Sequence, residues 1–162
     1  MKFAYALFLM IGIGFVGART QKPVDLAKEK EALLKVHETD RRAHFATDVE
    51  LLLQHSGDEF IYVGEGKVSK STRAELQETF RAYFKDAKYY EWDDLEPPII
   101  RISNDASMAW MIVRTRVRRT QKDSSGALKE RKFVYAGIMT YEKREGKWIR
   151  VANVSTFERE GG

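Results

Sequence analysis

The sequence predicts an α+β fold, on three observations. Apolar residues recur at helical spacing through the first half of the chain and alternate at strand spacing through the second. The strand-like segments are joined by turns of hairpin length, which implies antiparallel pairing. The helices come first, so they are expected to cover one side of the sheet that follows.

Residues 1–18 read as a signal peptide. Lys2 is a short basic start, and Phe3–Val16 is an apolar run of 14 residues broken only by Gly12 and Gly14. Val16-Gly17-Ala18 then places small residues where a signal peptidase reads. The run falls short of the ~20 residues a membrane helix needs, so cleavage after Ala18, with no stable membrane insertion afterwards, is expected over the alternative of an uncleaved anchor. No cysteine follows, which argues against a lipoprotein anchor. The mature protein is therefore expected to be exported, to a periplasm or the extracellular space.

Residues 19–162 are long enough for one domain with its own core. Losing Lys2 lowers the formal charge from +4 to +3, far from the dense basic stripe of a nucleic-acid binder. The absence of cysteine excludes a thiol nucleophile, a zinc–cysteine site and an iron–sulfur cluster. It also requires an exported chain to hold together without disulfides.

After a polar lead-in (19–25), an amphipathic helix is expected from Val24 to Phe45. A second, short helix follows in VELLLQHS (49–56), with Asp48 as N-cap. FIYVG (60–64) is a short strand and EGKV after it a turn. Ser71 or Thr72 caps the next helix (72–84), whose apolar stripe is Leu76, Phe80, Tyr83 and Phe84. Four strands come next, at 97–103, 108–119, 132–143 and 147–158, with turns at 104–107, 121–128 and 144–147.

The strand at 108–119 places Met111, Val113, Thr115 and Val117 on one side and Trp110, Ile112, Arg114, Arg116 and Arg118 on the other. In 132–143, Phe133, Tyr135, Gly137, Met139 and Tyr141 share a side opposite Val134, Ala136 and Ile138. Both faces are largely apolar near their centres. Helices can cover one, and a second subunit is the economical cover for the other, so a homodimer is expected.

The first helix carries the main functional signal. His37, Asp40 and His44 fall within an arc of about 60° on its apolar face, alongside Leu33. Unpaired polar groups are costly to bury, so this face is expected to line a cavity. Asp40 and His44 are one turn apart, the spacing at which a carboxylate can raise a histidine pKa and set its tautomer for general-base work. The plain alternative is a structural hydrogen-bonded pair, with His37 a pocket-wall or core histidine.

Trp92, in YEWDDLEPP, reads as a pocket lip with Asp93 or Asp94 as acceptors, or as a loop anchoring its tryptophan in the core. Arg114, the deepest of the arginine row, is a candidate partner for Asp40 or a ligand carboxylate. Tyr62, Trp110, Tyr135 and Met139 are candidate wall residues for a small, partly apolar organic ligand. Of the three histidines, only His37 and His44 share a face, seven residues apart, so no metal site is expected. No phosphate loop, Ser-His-Asp order or dinucleotide fingerprint appears, and no cofactor is expected.

The order ETDRRAHFATDVELLLQHSGDEFIYVGEGKV (38–68), TRAEL, YEWDDLEPPIIRIS (90–103), SMAW (107–110) and YEKREGKWIRVANVSTF (141–157) resembles the nuclear transport factor 2-like superfamily, and within it the SnoaL-like and related unassigned small proteins. The shared features are a long helix, Asp48 before a short helix, Asp58 and Glu59 before the first strand, Gly66 after it, and an aromatic-ending last hairpin. The resemblance implies a cone-shaped, curved antiparallel sheet wrapped around N-terminal helices, with a pocket at the open end. It also implies homodimers through the outer sheet face. It implies no activity, since relatives include ketosteroid isomerase, scytalone dehydratase, polyketide cyclases and members without known chemistry.

Three functions follow from these features. The first is an exported protein binding a small, partly apolar organic ligand without turnover. The second is a cofactor-independent isomerase, dehydratase or cyclase with Asp40–His44 as general base and Tyr62 or Tyr135 polarising a carbonyl. The third is a protein-interaction module.

Overall fold

In the computed structural model, residues 24–159 are described; the expected signal segment, 1–18, lies outside them. Helix α1 (Leu26–Ala46) starts where the Asp25 side chain accepts from the Lys28 backbone N–H at 3.1 Å. It ends at Thr47, whose φ of 50° turns the chain, and Asp48 N donates to Ala43 O at 2.9 Å. Leu33, Val36, Thr39, Asp40, Ala43 and His44 are its buried residues, recurring at intervals of three and four along one face. Asp48 then caps the short α2 (Val49–Leu53) through the Leu51 N–H at 3.0 Å. Helix α3 (Arg73–Phe84) opens on a capping box between Thr72 and Glu75 and buries Leu76 and Phe84.

Seven strands form one sheet: β1 (Ser56–Gly64), β2 (Lys67–Thr72), β3 (Lys88–Asp94), β4 (Ile99–Ile102), β5 (Met108–Lys122), β6 (Leu128–Arg144) and β7 (Lys147–Arg159). Their order is β2-β1-β7-β6-β5-β3, with β4 also beside β5, so the sheet is unclosed. The β1–β2 and β6–β7 hairpins turn on Glu65-Gly66 (φ 50° and 72°) and Glu145-Gly146 (φ 49° and 77°). Positive φ at both turn residues matches the twist of the strands, and glycine takes the second without strain.

The expected all-antiparallel sheet needs correction. β1 runs parallel to β7, pairing Ile61 with Ala152, Tyr62 with Asn153 and Val63 with Val154, so the sheet is mixed. Hairpin spacing reveals only neighbours in sequence, whereas β1 and β7 are joined through the rest of the sheet. A strand also occupies 88–94, where a loop was the alternative to a pocket lip: β3 pairs with β5, setting Trp92 opposite Val117. At the far end of β5 and β6 pairing continues to Lys122 and Leu128, which shortens the exposed turn.

The alternation of β5 and β6 sorts the faces as expected. Met111, Val113, Thr115 and Val117 are buried on the inner face, with Gly137, Met139 and Tyr141 beside them. Helix α1 packs against β3, β4 and β7, and α3 against β1 and β2. One core gathers Leu33, Val36, Ile100, Met111, Met139, Tyr141 and Trp148; a second joins Ala43, Leu52, Phe84, Tyr89 and Val117. On the outer face, cross-strand register aligns Ile99, Ile112, Ile138, Val154, Val63 and Val68 into an apolar row across six strands.

Candidate ligand-binding site

Asp40 is not the partner of His44. Its carboxylate accepts from Arg150 of β7, Oδ2 from Nη1 at 2.6 Å and Oδ1 from Nη2 at 3.4 Å. Nη2 also donates to Leu52 O at 3.2 Å, so one guanidinium ties α1, the end of α2 and β7 together. Both side chains are buried. Burial pushes the Asp40 carboxyl up, and Arg150 opposes that rise.

His44 points elsewhere. Its Nδ1 lies 2.7 Å from the backbone oxygen of Asp40, which makes Nδ1 the donor and Nε2 the bare nitrogen. The ring stacks on Trp92 at 3.5 Å between centroids, with Tyr83, Phe84 and Tyr89 edge-on around it. Burial takes its pKa down to about 3, opposite in direction to the rise expected from a carboxylate partner. The expected Asp40–His44 acid–base pair is therefore corrected: Arg150 holds the carboxylate and the tryptophan stack fixes the imidazole.

A row of aromatic rings continues from His44 along the concave side. Tyr89 and Trp92 lie 5.7 Å apart, Trp92 and Tyr135 6.4 Å, Tyr135 and Phe157 5.6 Å, and Phe157 and Phe133 5.8 Å. Register places Tyr135 and Phe157 in one row with buried Thr115, and Phe133 opposite buried Val117. Yet Phe157 is 47% exposed, and Phe80, Tyr83, Trp92, Phe133 and Tyr135 are half-buried. These inward-facing aromatic rings thus stay partly open to solvent.

Hydroxyl and amide groups of β1, β6 and β7 pair beside this row. Tyr62 Oη and Ser155 Oγ are 2.8 Å apart, and Tyr135 Oη donates to Asn153 Oδ1 at 3.2 Å. Both phenols lie back along their own strands over a glycine: a Cβ at Gly64 would collide with the Tyr62 hydroxyl, and one at Gly137 with that of Tyr135. Burial raises the Tyr135 phenol to about 12, so it is a neutral donor.

The remaining expected site residues divide. His37 Nε2 meets Asp94 Oδ2 at 2.7 Å, and Thr115 donates to Asp94 Oδ1 at 3.0 Å, which fastens α1 to β3 and β5. Met139 is core, packed near Arg150 and the Tyr141 hydroxyl. Trp110 and Arg114 are not wall residues: they lie on the outer face, both exposed, because strand alternation sets them opposite Met111 and Val113. Arg114 therefore cannot reach Asp40. Arg150, Asn153, Ser155 and Phe157 were not among the expected site residues. Among the described residues no group of three or more histidine or carboxylate side chains is placed to hold a metal ion.

No family model and no curated protein matches the chain. Solved structures do. A ketosteroid isomerase-like protein from Erwinia carotovora atroseptica superposes with a TM-score of 0.61 at 16% identity, over 80% of this chain and 96% of that one. An NTF2-like protein with a cystatin-like fold from Novosphingobium aromaticivorans gives 0.59 at 19% identity, over 85% and 86%. The association domain of C. elegans CaMKII gives 0.55 at 16%, over 80% and 96%. The chain has the nuclear transport factor 2-like fold, a small α+β scaffold found in isomerase-like and association domains alike.

Proposed function

We propose that the protein is an exported binding protein for a small, largely aromatic molecule, held at the mouth of the concave face without turnover. The observation that carries this is the set of half-exposed rings, Phe80, Tyr83, Trp92, Phe133, Tyr135 and Phe157, on the side of the sheet that also holds the core. Aromatic walls with a few fixed polar groups suit a flat organic ligand. The Tyr62–Ser155 and Tyr135–Asn153 pairs supply hydrogen-bonding groups at the floor.

Turnover is disfavoured by the state of the expected base. A general base works best with a pKa near the operating pH, and His44 sits near 3. Calorimetric titration with 2-naphthol tests the binding reading. Phe157→Ala is expected to weaken binding about tenfold, the equivalent of ~1.4 kcal/mol of lost ring contact. Trp110→Ala, on the outer face, is expected to leave it unchanged. Equal loss in both variants would place the ligand somewhere other than the mouth.

The outer face supports a second proposal, pairing with another copy of the chain. Ile99, Ile112 and Val154 of its apolar row are each more than a third exposed in the isolated chain. A continuous apolar row of this kind gains by burial against a like surface related by a twofold axis.

A further inference from the structure

Arg119 is a buried cation for which the described residues supply no counter-ion. It lies on the inner face of β5, 8% exposed, beneath the end of α3. Nη1 donates to Tyr89 Oη at 2.9 Å and to Tyr83 O at 3.4 Å. Nε is buried without an acceptor, as Nε of Arg150 also is. The guanidinium sits 4.5 Å from the Tyr83 ring centroid and 5.5 Å from that of Tyr89. These rings give it faces to rest on and no negative charge, since burial pushes both phenols upward and keeps them neutral.

Capping α3 does not account for this arginine. Gln121 Nε2 already donates to Tyr83 O at 3.2 Å and to Lys85 O at 3.1 Å. Arg150 shows how the same chain treats another equally buried guanidinium, by pairing it with Asp40. A buried cation without a partner is costly, and the cost is relieved by whatever anion reaches it.

We propose that the ligand of the aromatic mouth is a planar aromatic carboxylate, and that the Nε–Nη2 edge of Arg119 receives its carboxyl group. This rests on the aromatic-mouth reading above and names the class of ligand it takes. The two N–H bonds of that edge run parallel and match the two oxygens of a carboxylate. Tyr83 and Tyr89, which flank the guanidinium, belong to the row of rings around His44, so ring contact and anion pairing fall on neighbouring groups.

The test titrates the mature protein with 2-naphthoate and with its neutral isostere 2-naphthamide. Wild type is expected to bind the naphthoate at least ~10-fold more tightly, and Arg119→Met and Arg119→Gln to bring the two affinities together. Because either substitution can disturb the packing beneath α3, the side-chain ¹⁵Nε–H signal of Arg119 in wild type gives a second readout. It is expected to shift with naphthoate and stay still with naphthamide. Equal affinities in wild type would overturn the carboxylate proposal and leave the aromatic site standing. A naphthoate preference that survives both substitutions, with the Arg119 signal unmoved, would overturn the role of Arg119. Failure of both probes to bind would overturn the aromatic site as well.

Discussion

Between the middle of α1 and β7, Asp40 and Arg150 face each other with both side chains about one-tenth exposed. Losing one partner strands the other. Asp40→Leu alone is therefore expected to cost ~3–5 kcal/mol, while Asp40→Leu with Arg150→Met is expected to recover most of that loss. Urea unfolding of the two variants measures the difference. His44 predicts a pH dependence of definite sign. Its folded pKa of about 3 lies below the ordinary 6.5, so the unfolded chain binds a proton that the folded one refuses. Its contribution is present above pH ~6.5 and is lost as the pH falls toward ~3. Between pH 7 and pH 4 wild type is expected to lose ~3 kcal/mol more stability than His44→Phe, measured by chemical unfolding at both values.

At the scale of elements, most of the chain was legible. Asp48 and Thr72 cap the helices they were expected to cap, and the Glu145-Gly146 turn joins β6 to β7. The face of α1 bearing His37, Asp40 and His44 does point inward, because helical spacing fixes which residues share a side. Strand β3 was harder to see: Lys88–Asp94 lacks clean alternation, and its pairing with β5 shifts register between Tyr89 and Glu91. Arg150 was hidden for a related reason. Simple alternation along β7 groups it with Ala152 and Val154 on the outer face. The register shift between Thr140 and Tyr141 of β6, opposite Ala152 and Arg150, turns Arg150 inward instead. No residue type near Arg150 announces that shift, and the sequence offers Arg114 as the partner of Asp40 instead.

For the molecule as a whole, the outer apolar row is where assembly would be decided. Ile112 and Val154 lie near its middle, each paired in register with Ile138 of β6. Light scattering is expected to find a dimer for the mature wild type and a folded monomer for Ile112→Glu with Val154→Glu, since a buried carboxylate without a partner opposes association. A monomeric wild type would remove the second copy from the proposal. The sequence by itself determined the α+β class, the helix caps, the β6–β7 hairpin turn and the sorting of β5 and β6 into two faces. All of these follow from local backbone preference and from periods of 3.6 and 2 residues. Only the tertiary structure decided that β1 runs parallel to β7, that Asp40 meets an arginine 110 residues away, and that Arg119 is buried with no anion beside it among the described residues. Those outcomes depend on strand register and on how α1 and α3 lie across the sheet, and no stretch of local sequence contains either.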